Sequence, residues 1–468
     1  MTPRLARGVR VRPDPRDGSP VLLSPERGLR LSPTAAATVE LIDGVRAVDQ
    51  IVSELASRYP RAGRGRIEAD VRTLLSELRA RGLVEGVDAG LSGTPEGAES
   101  DPRDLEPATP VAAAGAPYTL VAELTHRCPL ACPYCSNPRR LVAGQDELAT
   151  DEWLRVIDDA AALGVMQVHL SGGEPLARTD VEAIAARARA RDLYVSLVTS
   201  GLPLDRARLE RLAPSLDHVQ LSVQDAAAGP SDRIAGMAAF DAKMRVAAWI
   251  KALGLPFTLN VVLHRENIGR VADVIAMAER LGADRLELAN VQLVSWALEN
   301  RGALLPSAAA LEAARRVAAD ARRRLEGHMQ IVFVLPDWHA DLPRACMDGW
   351  GRRFVIVAPD GAVLPCQAAR GLPLTFETVR SRPLAAVWAD GEAISAYRGD
   401  AWMRDPCKTC DRRELDFGGC RCQAFALTGE LSATDPACSL SPQHGLVRAA
   451  RADAERPAER GLVYRGRG

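Results

Sequence analysis

The chain has 468 residues, about three times a typical domain length of roughly 150, so two to four compact units are expected and a single-module binding protein is disfavoured. With 47% hydrophobic and 25% charged residues and a formal net charge of -1, it reads as an ordinary globular protein with no overall field to recruit nucleic acid or anionic lipid. The basic residues are 56 Arg and 3 Lys (Lys243, Lys251, Lys408), which reads as codon preference, because exchanging Arg for Lys on exposed faces is nearly neutral.

The N-terminal stretch MTPRLARGVRVRPDP has no apolar core of a signal peptide, and no run of about 18 apolar residues follows, so a cytoplasmic location without a membrane span is expected. Residues 1–85 form a small unit with short strands at 9–11 and 20–23 across the turn DPRDGS, a third at 29–31, and then helices. Ser32-Pro33 opens the first helix as N-cap and first-turn proline, with Ala36, Val39, Leu41 and Ile42 inward before the stop Asp43-Gly44. Helices at 47–59 and 67–81 turn Ile51 and Leu55, then Val71, Leu74, Leu75 and Leu78, inward, and Gly82 closes the second. The plan is winged-helix-like, but 15 Arg against 12 acidic residues over 1–88 is a weak DNA footprint. Residues 86–117 carry five Gly, five Pro and no aromatic residue, and read as a flexible tether spanning about 30 Å.

Six apolar runs follow, at 120–124, 167–170, 195–199, 219–223, 258–263 and 285–288, alternating with amphipathic helices such as 150–163 and 239–253. Strand–helix units in series imply an α/β fold, a partial (β/α)6 barrel of the TIM type over 118–296 with ligands at the carboxyl ends of its strands. Residues 297–345 are a bridge holding a helix at 307–325 and a strand at 331–334. Residues 346–440 are rich in cysteine and turn residues, with too few large apolar groups for a conventional core, so an inorganic group is expected to organise them. Residues 441–468 read as a mobile tail whose arginines are solvated charge.

The ten cysteines are clustered: none precedes Cys128, three lie between Cys128 and Cys135, and seven lie between Cys346 and Cys438. In a reducing cytosol such clusters are more often metal ligands than disulfides. Cys128-Pro-Leu-Ala-Cys132-Pro-Tyr-Cys135 directly follows the first strand, and three thiolates so spaced can ligate three irons of a cubane and leave the fourth open. A zinc site of the three cysteines and His126 is the alternative, although structural zinc prefers two separated pairs. Asp416-Phe417-Gly418 spells the DFG of kinases, but no HRD loop, phosphate cradle or early-strand lysine accompanies it, and the match is chance.

The CxxxCxxC motif, with Ser171-Gly172-Gly173-Glu174-Pro175 on the second strand, resembles the radical S-adenosylmethionine (SAM) family. That resemblance implies a [4Fe–4S] cluster on Cys128, Cys132 and Cys135 whose open iron chelates SAM, reductive cleavage to a 5′-deoxyadenosyl radical, and cofactor contacts from Gly172, Gly173, Glu174 and Pro175, glycine permitting close approach. By the same analogy Thr199, Ser200, Ser222 and Asn260 hold the rest of SAM, although as polar caps of barrel strands each could stand without a ligand. The distal cysteines are similar to the SPASM extension, which carries two auxiliary iron–sulfur clusters, 4Fe–4S or 2Fe–2S. In its usual run CxxCxxxxxCxxxC the third position is here Asp416, which puts a carboxylate, harder than thiolate, at a ligand position. A turn residue, with water or Cys422 as ligand, is the other reading. The ligand sets implied are Cys346, Cys366, Cys420 and Cys422 for one cluster, and Cys407, Cys410, Asp416 and Cys438 for the other.

Residues 122–138, with SGGEPLAR, HVQLSVQDA, ANVQ, GGCRCQA and ATDPAC, resemble the PqqA peptide cyclase family (PqqE) of pyrroloquinoline quinone (PQQ) biosynthesis, over 118–440. RLARGVRVR, LSPTAAATVELIDG and RGLV, within 3–85, are similar to PqqD, which presents the PqqA peptide to the cyclase. The cyclase family has an aromatic residue where His126 stands, which weighs against a ligand role there, and its Asp ligand falls on Asp416. The resemblance therefore implies a fused oxidoreductase that joins a glutamate and a tyrosine side chain of the PqqA precursor by a carbon–carbon bond. It implies a one-electron donor such as flavodoxin, an auxiliary cluster that takes up the product's electron, and no nucleic-acid or membrane partner. Another SPASM peptide maturase and, from a different class, a zinc-binding transcription factor are the competing readings.

Overall fold

In a computed structural model, which describes residues 2–13, 18–25, 27–88, 115–142, 144–458 and 461–466, the chain divides into two compact units, the first built mainly from residues up to Gly115. Most of the expected tether, 89–114, lies outside the described residues. In the first unit Arg10–Pro13, Pro20–Ser24 and Arg27–Arg30 form an antiparallel meander, with Val11 opposite Leu22 and Leu22 opposite Leu29. Ser32 caps the helix Pro33–Val39, its hydroxyl accepting the Ala35 N–H at 3.2 Å, and Val48–Arg58 and Arg64–Ala80 follow. Leu22, Val39, Ile51, Val52, Leu55, Val71, Leu75 and Leu78 fill one core, so the inward stripe of each helix meets the sheet. A pairing the pattern does not announce joins Arg4–Leu5 antiparallel to Val84–Glu85, because two-residue strands have no readable period.

The second unit is built on a nine-stranded sheet. Its strands in chain order are β1 (Thr119–Glu123), β2 (Gln167–Ser171), β3 (Tyr194–Thr199), β4 (His218–Ser222), β5 (Phe257–Leu263), β6 (Arg285–Asn290), β7 (Gln330–Phe333), β8 (Phe354–Val357) and β9 (Val363–Leu364). The spatial order is β7-β6-β5-β4-β3-β2-β1-β8-β9, with β8 parallel to β1 and β9 antiparallel to β8. Consecutive strands lie side by side because an amphipathic helix returns the chain over the sheet after each of β1 to β6. The helix Thr150–Leu163 shows the local logic: Glu152 accepts the Ala149 N–H at 2.8 Å, Trp153, Val156, Ile157 and Ala160 face inward, and left-handed Gly164 (φ 94°) ends it. The six expected strands are β1 to β6, and the sheet is open at β7 and β9, not closed into a barrel.

Two expectations are corrected. The region 346–440 has an ordinary apolar core in part, for Val355, Ile356, Val357, Val363, Leu364, Leu384, Val387, Trp388 and Ile394 are buried. The reason is that β8 and β9 extend the main sheet and helix Leu384–Asp390 packs on Thr150–Leu163, so that core is shared with the main sheet and its helices. The tail is packed in part: His444–Ala454 is a helix with Val447, Ala450 and Ala454 inward, and Arg465 is buried, while Arg448 and Arg456 stay exposed.

Candidate cluster and cofactor sites

The carboxyl end of β1 runs into the cysteine loop, and the end of β2 clamps that loop. Gly173 N–H donates to Thr125 O at 2.6 Å and Glu174 N–H to Arg127 O at 2.8 Å. A β-carbon on Gly172 (φ 133°) would lie 2.4 Å from Thr125 O, and one on Gly173 2.5 Å from both His126 O and Arg127 O. Protein backbone therefore already requires these glycines. Glu174 is wholly buried: Oε1 accepts from Thr199 Oγ1 at 2.6 Å and Leu176 N at 3.2 Å, and Oε2 from Ser200 N at 2.7 Å and Ser200 Oγ at 2.5 Å. Gly172, Gly173, Glu174, Thr199 and Ser200 thus come together as one bonded unit joining β2, β3 and the cysteine loop. Ser222 and Asn260, half-buried at the ends of β4 and within β5, use their carbonyls for Lys243 Nζ at 2.9 Å and Val223 N–H at 2.9 Å.

Cys128 and Cys132 pack around Leu130, Ala235 and Ala239, and Ala131 N–H donates to Ala235 O at 2.9 Å. Burial pushes the Cys128 thiol up to about 11 and Cys132 to about 12, and bound iron would favour their thiolates. Sequence reasoning missed Lys243, counted above as one of three lysines and nothing more. It is wholly buried, its Nζ donates to Gln224 Oε1 at 2.6 Å, and the Gln224 amide reaches Cys132 Sγ at 3.9 Å. Burial draws its ammonium down to about 8, while the neighbouring Cys132 and Glu174 favour the charged form. The signal was available as a charged residue on the inward stripe of helix Phe240–Ala252. His126 is buried with Nδ1 accepting the Val142 N–H at 3.0 Å and Nε2 3.8 Å from Glu123 Oε2.

Of the distal residues, four thiols form a closed ring of contacts: Cys346 with Cys366, Cys366 with Cys422, Cys422 with Cys420, and Cys420 with Cys346. Cys407, Cys410, Asp416 and Cys438 line a second cavity with Pro343, Thr434 and Asp435. Asp416 is 7% exposed, and its Oδ1 accepts the Gly418 N–H at 2.9 Å. Burial raises the Asp416 pKa, against the lowering pull of the Gly418 N–H and of Arg412, whose Nε lies 3.9 Å from Oδ2. Phe417, Gly418 and Gly419 are all left-handed (φ 50°, 74° and 73°), and a β-carbon on Gly419 would lie 2.5 Å from Asp435 Oδ2. This turn carries the chain from the second cavity to the thiol ring. Asp435, unassigned from sequence, is wholly buried and accepts the Cys420 N–H at 2.7 Å, the Ala437 N–H at 2.9 Å and Gln423 Nε2 at 3.2 Å. Arg421, between two thiols of the ring, donates to Ala433 O at 2.7 Å and Gly418 O at 2.5 Å and lies 4.6 Å from the Trp402 ring centre. Among the described residues no three His, Cys, Asp or Glu side chains close around a single-ion point. Their arrangement is one of cavity linings and thiol contacts. The donor chemistry of both distal sets, thiolate with one carboxylate, fits iron–sulfur clusters. Among the described residues no helix is long and apolar enough to cross a membrane.

Family models match three parts of the chain: the Radical SAM superfamily over residues 122–278, coenzyme PQQ synthesis protein D (PqqD) over 20–84, and the SPASM iron-sulfur cluster-binding domain over 346–411. The PqqA peptide cyclase of Granulibacter bethesdensis is 51% identical over 337 residues, covering 71% of this chain and 90% of that protein. That of Streptomyces rochei is 49% identical over 356 residues, covering 76% of this chain and 98% of that protein. Among solved structures, Streptococcus suis SuiB bound to S-adenosylmethionine superposes with a TM-score of 0.64 at 16% identity, over 92% of this chain and 97% of that one. The anSMEcpe structure with bound AdoMet gives 0.50 at 15% identity, over 72% and 96%. At these identities the structural likeness speaks for the fold. By sequence, the chain belongs to the PqqA peptide cyclase family of radical SAM enzymes, with PqqD and SPASM domains in the same polypeptide.

Proposed function

We propose that this enzyme forms a carbon–carbon bond between a glutamate and a tyrosine side chain of a PqqA precursor peptide, which its N-terminal domain delivers. The observation that carries the reading is the sorting of the distal donors into two sets, the thiol ring Cys346, Cys366, Cys420 and Cys422 and the cavity of Cys407, Cys410, Asp416 and Cys438. Each set supplies four ligands for one auxiliary cluster, which leaves Cys128, Cys132 and Cys135 for the SAM-binding [4Fe–4S] cluster. When bound and reduced, that cluster with SAM supplies a 5′-deoxyadenosyl radical able to take hydrogen from an unactivated carbon. Gly172, Gly173, Glu174, Pro175, Thr199, Ser200, Ser222 and Asn260 border the cofactor, and the Glu174 bonds hold the β2 and β3 ends in register with the cysteine loop.

Joining the two side chains removes two hydrogens from the peptide. One would leave as an atom to the 5′-deoxyadenosyl radical, giving 5′-deoxyadenosine, and the other as a ring proton, and a cluster held by the distal donors would accept the remaining electron. A reductant such as flavodoxin supplies the electron that starts each turnover, and the location is cytoplasmic. Incubating reduced enzyme and SAM with a PqqA-type peptide should give a product two hydrogens lighter, with the link between Glu and Tyr in fragmentation spectra. An unchanged peptide mass with turnover of SAM would overturn the assignment. Deleting residues 1–85 should abolish cyclisation while leaving SAM cleavage, with activity restored by the fragment added in trans.

A further inference from the structure

The composition of the C-terminal segment reads as solvated charge, yet residues 463–465 are bonded to the cysteine loop. Arg465 N–H donates to Ala131 O at 3.1 Å, and its guanidinium donates to Leu130 O at 3.5 Å and to His126 O. Asn300 binds both segments: its Nδ2 donates to Pro133 O at 2.9 Å and Val463 O at 2.8 Å, while its Oδ1 accepts the Val463 N–H at 2.7 Å. Tyr464 OH donates to Arg233 O at 2.9 Å, beside the helix end on which Ala131 rests. The bonded positions 126, 130, 131 and 133 bracket Cys128 and Cys132.

Arg465 is 2% exposed and, among the described residues, has no carboxylate within ion-pair distance and no hydrogen-bond partner for its Nε. A buried guanidinium answered only by carbonyls carries a large desolvation penalty unless negative charge stands nearby. The carbonyls it takes, at positions 126, 130 and 131, stand within two residues of Cys128 or Cys132, so the charge lies against the loop whose thiolates a cluster would require.

We infer that the C-terminal segment is part of the radical site, and that Arg465 is a positioning residue that braces the cysteine loop while its charge offsets the cluster thiolates. The inference rests on the reading of Cys128, Cys132 and Cys135 as cluster ligands. Hydrogen exchange on the iron-loaded full-length enzyme should show slow Val463 and Arg465 amides. Exchange of both at the rate of an unstructured peptide would overturn the brace, whatever the fate of the cluster. In an Arg465→Met enzyme with its iron retained, the midpoint potential of the SAM-binding cluster, followed by EPR, should move to more negative values while the auxiliary potentials stay in place, because a nearby positive charge favours the reduced cluster. Arg465→Lys should keep the potential near that of the parent but speed exchange over residues 127–131, since an ammonium cannot span the two carbonyls. A parental potential in Arg465→Met, or parental exchange in Arg465→Lys, would refute the corresponding half. If replacing all three cysteines leaves the iron content unchanged, the ligand reading fails separately from the brace.

Discussion

Glu174 offers a test that separates a residue holding the site from one that merely touches the cofactor. Its buried carboxylate accepts four hydrogen bonds, two from the backbone N–H groups of Leu176 and Ser200 and two from the hydroxyls of Thr199 and Ser200. In Glu174→Ala the hydroxyls can rotate to other acceptors, but the two amides cannot. Each orphaned buried donor costs about 1–3 kcal/mol, and the lost side chain adds a small cavity, so a destabilisation of roughly 3–5 kcal/mol is expected. Against a typical total of about 5–15 kcal/mol, the variant should still fold. The assay is urea unfolding of iron-loaded, SAM-free enzyme followed by far-ultraviolet circular dichroism. A residue serving only as a cofactor contact would leave this midpoint unchanged. A shift worth less than about 0.5 kcal/mol together with lost SAM binding would refute the structural role, since that is the size expected of a substitution away from any buried feature.

Three further outcomes follow from the geometry. Gly173→Ala places a β-carbon 2.5 Å from two backbone oxygens of the cysteine loop, and should lower the iron and sulfide content by one cluster's worth while the auxiliary EPR signals persist; unchanged iron would show that the loop can give way. Asp416→Cys should keep the iron content but change the potential of one auxiliary cluster, since thiolate replaces a harder carboxylate, and an unaltered potential would remove Asp416 from the ligand set. His218, half-buried between Ser196 Oγ at 2.9 Å and Thr258 Oγ1 at 2.8 Å, has its pKa lowered by burial from 6.5 to about 4. The unfolded chain then binds a proton below pH 6.5 that the folded chain refuses until about pH 4, so stability is present above pH 6.5 and lost as pH falls through that window. After allowance for its partial exposure the effect is roughly 1–2 kcal/mol, and His218→Gln should flatten the acid limb of the urea midpoint by that amount.

What could be read in advance was local or periodic. The strand at 167–171 and the helix at 150–163 announce themselves because alternation, first-turn acids and the terminal glycine all lie within one window of sequence. The family resemblance also implied the grouping of Cys346, Cys366, Cys420 and Cys422 apart from Cys407, Cys410, Asp416 and Cys438, whose roles as ligands remain the proposal made above. β8 was not, because it is recruited by β1, more than two hundred residues earlier in the chain, and nothing within Phe354–Val357 names that partner. Asp435 was passed over for a similar reason: its acceptors serve Cys420 and Gln423, and their meeting depends on the left-handed turn Phe417-Gly418-Gly419.

Gly172 and Gly173 show a subtler limit. Glycine in a cofactor motif was read as room for a ligand, and the structure shows that room taken by the backbone of residues 125–127. The two explanations predict the same residue type, so sequence cannot separate them, and the close backbone approach at these positions is compatible with both. Arg465 poses the converse case. An arginine in a glycine-rich tail is solvated unless a distant segment presents carbonyls and unanswered negative charge at the right place, and here that segment lies more than three hundred residues away in sequence. Composition measures how cheaply a residue can remain in water. It carries no information about a site that repays taking it out, and so a buried charge whose partners are remote is the feature a sequence hides most completely.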